Sequence, residues 1–145
     1  MPTRTAHTAW TGGLQDGSGT VELSSSKLGS YDVSFPRRAA DNADGFTSPE
    51  ELIAAAHSAC YAMAFSNEIA QAGGTPQSLD VTADVTLGPD PAGGVRITGV
   101  KLTVRGTVGG LDEAGFVAAA EKAKVGCPVS KALTGTDITL DAALA

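Results

Sequence analysis

Residues 47–65 read TSPEELIAAAHSACYAMAF, and the fold turns on how this stretch is read. Ser48 can cap a helix, Pro49 suits its first position, and Glu51 stands three residues after the cap, where a capping box needs a carboxylate. Glu50 and Glu51 also face the positive end of the helix dipole. The pattern predicts a helix over 49–72, stopped by Gly73-Gly74. Small and apolar residues surround it on nearly all sides (Ile53, Ala54, Ala55, Ala56, Ala59, Met63, Ala64, Ile69). Such a helix is expected to be buried on more than one face, at the centre of a fold or of a dimer.

Upstream, residues 4–36 read as a three-strand meander broken by glycine. Thr5–Thr11 is one run, Val21 and Leu23 alternate with Thr20, Glu22 and Ser24, and Tyr31, Val33 and Phe35 share a face. LQDGSG (14–19) is turn chemistry between the first two strands. Downstream come two longer strands within 78–108, joined by GPDPAGG, and then a helix over 111–126 with Asp112 as its cap. A short helix over 128–133 and a final strand over 136–144 complete the chain. Strands, helix, strands, helices and strand in that order predict an α+β domain.

The 145 residues fit a single domain, 1–145. With 42% apolar and 18% charged residues the composition is that of a globular chain, and the low aromatic content of 5% calls for a core of small and branched aliphatics. A net charge of −6 with scattered basic residues argues against nucleic acid as a partner. There is no apolar run of membrane-spanning length and no signal-peptide core at MPTRTAHTAW, so no membrane partner and a cytoplasmic location are expected. Cysteines in that compartment stay reduced, which disfavours a permanent disulfide and favours a catalytic or transient one.

The chain has two cysteines, Cys60 inside the long helix and Cys127 opening the short one in KAKVGCPVSKAL (122–133). Each has a plain reading as a small buried hydrophobe. For Cys127 that reading is weaker: Pro128 at the first helical position puts Cys127 at the cap, where free N–H groups favour a thiolate. If the two sulfurs meet in the fold, the chain has the makings of a thiol peroxidase; if not, they are two core residues. A peroxidatic thiol needs a positive neighbour, and Arg37-Arg38 precede the long helix, either as a solvated loop or as an arginine fork fixed by Glu50. Glu50 and Cys60 are ten residues apart, which is about 15 Å of helical rise. Either the arginine spans most of that distance, or the carboxylate and thiol of one site come from different subunits, as two antiparallel copies of the helix would arrange. His57, three residues before Cys60, suggests a cysteine-protease dyad, but no third orienting group is evident. Positions 7, 57, 60 and 127 lack zinc spacing, so no metal is expected.

These segments, together with TAWTGG (8–13), SLDVTADVTL (78–87) and DITLDAAL (137–144), resemble the OsmC/Ohr family of cysteine-based organic hydroperoxide reductases over nearly the whole chain. Val129 within Cys-Pro-x-Ser and the histidine of AAAHSAC are more similar to the OsmC branch. The resemblance implies an intertwined homodimer with antiparallel sheets wrapped around long central helices and sites at the subunit interface. It implies Cys60 as peroxidatic cysteine, Cys127 as resolving cysteine, Glu50 as the family glutamate, and Arg38, in preference to Arg37, as the family arginine. No cofactor is implied. The partners are an organic hydroperoxide and a dithiol reductant, of lipoyl type in the family.

The expected reaction is reduction of organic hydroperoxides, and hydrogen peroxide as well, to alcohols in oxidative or osmotic stress defence. Cys60 would become a sulfenic acid and then a Cys60–Cys127 disulfide, reopened by the dithiol. Ala56, Ala59, Met63 and Ala64 suggest apolar surroundings for Cys60 and hence an organic substrate. Two other readings stay open: a non-enzymatic dimer binding an apolar ligand with inert thiols, and a redox sensor whose disulfide alters a partner contact.

Overall fold

The computed structural model describes residues 1–145. The chain packs as two compact units, Met1–Leu52 and Ile53–Ala145, and the boundary falls just after the first turn of the long helix. No helix is long and apolar enough to cross a membrane.

The first unit is an antiparallel meander of β1 (His7–Thr11), β2 (Ser18–Glu22) and β3 (Ser30–Val33). The β1–β2 turn closes where Gly12 takes a positive φ of 93° and the Gly13 N–H donates to Asp16 Oδ1 at 2.8 Å. Phe35, expected in the third strand, lies instead in a short helix α1 (Phe35–Arg38). Ser34, itself extended, caps that helix by accepting from the Arg37 N–H, and Pro36 sits in its first turn. Arg37 and Arg38 are thus held on a helix rather than in a loop.

The long helix α2 (Pro49–Gln71) begins and ends where the sequence signals lie. Ser48 Oγ accepts from the Glu51 N–H at 3.1 Å, while the Glu51 carboxylate accepts from the Thr47 hydroxyl at 2.6 Å. At the other end the Gly74 N–H donates to Ile69 O and the Gly73 N–H to Ala70 O, with Gly73 at φ 87°. This is the paired closure that a left-handed glycine makes possible. The expected burial on several faces is not met within one chain. His57, Tyr61, Phe65 and Ile69 form one buried stripe, whereas Ala55, Ala56, Ala59 and Ala70 are exposed and Met63 keeps 72% of its surface.

In the second unit α2 is followed by β4 (Thr75–Pro89), β5 (Val95–Gly109), α3 (Glu113–Gly126), α4 (Pro128–Ala132) and β6 (Asp137–Leu144). Asp112 caps α3 by accepting from the Gly115 N–H at 2.8 Å. The α+β class is the class observed, but the second sheet is mixed: β5 pairs antiparallel with β4 and parallel with β6. The helices between β5 and β6 carry the chain back to the start of the sheet, as parallel pairing requires. The register stacks core residues in rows, Val81–Val104–Ala142, Ala83–Leu102–Leu140 and Val85–Val100–Ile138. The alternate positions carry Asp80, Thr82, Asp84, Lys101 and Arg105 to the exposed side. On the inner side Phe65 meets Phe116 edge-on at 4.9 Å between ring centroids. Tyr61 donates its hydroxyl to Ala120 O at 2.9 Å, tying α2 to α3.

Candidate functional site

Each unit holds part of the candidate machinery. In the first, α1 presents Arg38 to Glu50 at the start of α2. Arg38 Nε donates to both Glu50 oxygens at 3.1 Å, and its Nη2 donates to Oε1 at 2.7 Å. Glu50 is buried and Arg38 half-buried, so the planar fork is held by a carboxylate with little water around it. Arg37 faces elsewhere and pairs with Asp44, both well exposed. Of the two arginines, Arg38 is the one that Glu50 fixes. Arg38 also lines a cavity of about 330 Å³ whose other walls are largely apolar, among them Trp10, Leu14, Val21, Phe35 and Leu52.

In the second unit the two cysteines meet. Both are free thiols, Cys127 fully buried and Cys60 partly so. Cys60 packs against the buried core cluster that contains Cys127, and the two thiols lie in each other's electrostatic environment. Burial pushes the Cys60 thiol above its ordinary value; the Val129 N–H favours the thiolate, while the neighbouring Cys127 opposes it. The helix-cap expectation for Cys127 is revised. Cys127 does occupy the N-cap of α4, but its side chain makes no capping hydrogen bond.

Sequence reasoning considered His57 as a neighbour of Cys60 and as a mark of the OsmC branch. In the fold His57 is fully buried, with Nε2 2.8 Å from Ser130 Oγ. Its Nδ1 has no hydrogen-bond partner, and burial pushes its pKa below the ordinary value. No protease-type triad forms, because the imidazole is committed to a hydroxyl on α4. The signal was present in the spacing: His57 precedes Cys60 by three residues and Ser130 follows Cys127 by three. Ala56, Ala59 and Met63, expected around Cys60, lie on the exposed face of α2.

The chemistry available is thus a pair of approximated thiols and a carboxylate-fixed guanidinium beside an apolar cavity. Comparison with known proteins agrees in kind. A protein of Escherichia coli strain K12 named peroxiredoxin OsmC is 43% identical over 132 residues, covering 91% of this chain and 90% of that protein. An organic hydroperoxide resistance protein of Xanthomonas axonopodis pv. citri is 32% identical over 138 residues, covering 94% and 92%. Among solved structures, an organic hydroperoxide resistance protein from Elizabethkingia anophelis superposes with a TM-score of 0.79 at 27% identity, covering 100% of this chain and 98% of that one. The family model described as OsmC-like protein matches residues 41–141. The chain belongs to the OsmC-like protein family.

Proposed function

We propose that this protein is a cysteine-based peroxidase that reduces organic hydroperoxides to alcohols, working in the reducing cytoplasm in oxidative or osmotic stress defence. The observation that carries the reading is that Cys60 and Cys127, both free thiols, lie beside each other in a largely apolar core.

In the proposed cycle the Cys60 thiolate attacks the distal oxygen of ROOH. The O–O bond breaks, ROH leaves after taking a proton, and Cys60 holds a sulfenic acid. The Cys127 thiolate then attacks that sulfur. An S–S bond forms, the S–O bond breaks, and the hydroxyl leaves as water with the proton given up by Cys127. An external dithiol, of lipoyl type by family resemblance, reopens the disulfide by exchange and is itself oxidised to a disulfide. Arg38, aligned by Glu50, stabilises the thiolate and the departing alkoxide. The apolar cavity lined by Arg38 supports an organic rather than a bare peroxide, with hydrogen peroxide as the poorer substrate. The active unit proposed is a homodimer.

The test uses Cys60→Ser and Cys127→Ser with cumene hydroperoxide and a dithiol reductant. Cys60→Ser should abolish turnover. Cys127→Ser should consume one equivalent of peroxide and stall as a sulfenic acid that dimedone traps. The opposite pattern would exchange the two roles. Retention of both free thiols in wild-type protein under peroxide would leave the non-enzymatic ligand-binding reading instead.

A further inference from the structure

Two contacts, nested in sequence, join α2 to the segment that begins α4. Cys60 meets Cys127, and His57 meets Ser130 at 2.8 Å. The second contact is costly to build. His57 and Ser130 are both buried, and a polar pair in an apolar core is favourable only while its hydrogen bond stays made. One further polar atom, His57 Nδ1, is buried with no partner at all. The bond forms in either tautomer, with Nε2–H donating to Ser130 Oγ or the Ser130 hydroxyl donating to Nε2, and in both Nδ1 stays without a partner. Packing alone gives no reason to keep such a pair, since two aliphatic side chains could fill the same volume without a desolvation cost.

We propose that His57, through Ser130, is a positioning residue for disulfide formation: it docks the start of α4 on α2 so that Cys127 stays within reach of Cys60 after Cys60 is oxidised. The inference rests on the peroxidase reading above. In the reduced protein the Cys60 thiol packs against the core that holds Cys127. Oxidation of Cys60 to a sulfenic acid alters that packing, because the sulfur changes size and polarity. The His57–Ser130 bond involves neither sulfur and survives that change. α4 has only five residues and its cap contributes no side-chain hydrogen bond. Backbone bonds from the Cys127 N–H to Ala123 O and from the Lys131 N–H to Cys127 O hold the chain locally, while His57–Ser130 is the side-chain hydrogen bond that ties it to α2.

The experiment follows the two half-steps separately in the full-length protein after one equivalent of cumene hydroperoxide. Sulfenic acid is quantified by dimedone trapping and the disulfide by quenched mass spectrometry, for wild type, Ser130→Ala, His57→Leu and His57→Gln. The expected result is that sulfenic acid forms at the wild-type rate in all four. Disulfide formation should slow by about tenfold or more in Ser130→Ala and His57→Leu, as loss of alignment does elsewhere. His57→Gln, whose amide nitrogen reaches close to the Nε2 position, should restore most of the rate. A purely structural role would instead slow both half-steps together. Equal slowing of the two, or wild-type disulfide formation in Ser130→Ala, overturns the assignment, and Ser130→Ala decides alone if His57→Leu does not fold. A wild-type protein that forms no Cys60–Cys127 disulfide overturns the peroxidase reading itself, which is read before any variant is compared.

Discussion

A thiol attacks a peroxide only as the thiolate, and burial moves the Cys60 thiol in the unhelpful direction, above its ordinary value. The Val129 N–H opposes that shift from within the same unit, but burial has the larger effect. Arg38 is proposed to supply the missing positive charge, and the sign of its effect can be worked out. Raising the pKa of an acid lowers the thiolate fraction at a given pH, so the rate of the first half-step should climb as pH rises through the Cys60 pKa. Arg38→Met should move that rise to higher pH and lower the neutral-pH rate by about 10²-fold, the usual cost of losing one transition-state donor. Arg37→Met, whose guanidinium pairs with exposed Asp44, should leave the profile where it was. Stopped-flow rates of sulfenic acid formation across pH check both; equal effects of the two substitutions would remove Arg38 from its proposed place. At this scale the sequence announced the residue types well, because proline, glutamate and cysteine carry their chemistry in their names. The His57–Ser130 pair was legible only through the matched three-residue spacings to Cys60 and Cys127, since nothing local to either residue requires the other.

Among the elements, the second sheet depends on one missing side chain. A Cβ at Gly106 would stand 2.7 Å from Leu79 Cδ2 and 2.9 Å from Phe116 Cε2, so the glycine lets the Phe116 ring lie close to β5. Gly106→Ala should destabilise the protein by about 1–3 kcal/mol, as overpacking does. Gly126→Ala, with nothing within 4 Å of the added methyl, should be neutral or stabilising by about 0.4–1 kcal/mol. Urea denaturation of the two variants reads the difference in sign, and a stable Gly106→Ala would mean that α3 can shift away from the sheet. Element ends were the most legible part of the chain. Ser48-Pro49, Gly73-Gly74 and Asp112 each carry local stereochemistry that decides a boundary. Phe35 was misread because its alternation with Tyr31 and Val33 suggests a strand, while the Ser34 cap and Pro36 turn the backbone first. The parallel pairing of β6 with β5 is a long-range choice, set by the crossover through α3 and α4 rather than by any residue in β6 itself.

For the whole molecule, the face of α2 opposite its buried stripe is made of Ala55, Ala56, Ala59 and Met63, apolar and exposed in the single chain. A helix with so little polar surface there has reason to meet a second copy, and a twofold pairing uses the same patch twice. Glu50 and Cys60 sit ten residues apart on that helix, about 15 Å along its axis. An antiparallel pairing would therefore bring the carboxylate end of one copy toward the thiol of the other, and the Arg38–Glu50 fork of one subunit would serve Cys60 in its partner. Mixing Cys60→Ser subunits with Glu50→Gln subunits under conditions of subunit exchange tests this arrangement. Each parent lacks one component in both of its sites. The heterodimer would regain one site of the two, built from the intact Glu50 of the first chain and the intact Cys60 of the second. Activity should then rise on mixing, in proportion to the heterodimer resolved by native mass spectrometry. Full activity from a monomer in solution, or heterodimers no more active than their parents, would mean that each chain carries its own complete site and that the exposed face of α2 serves some other purpose.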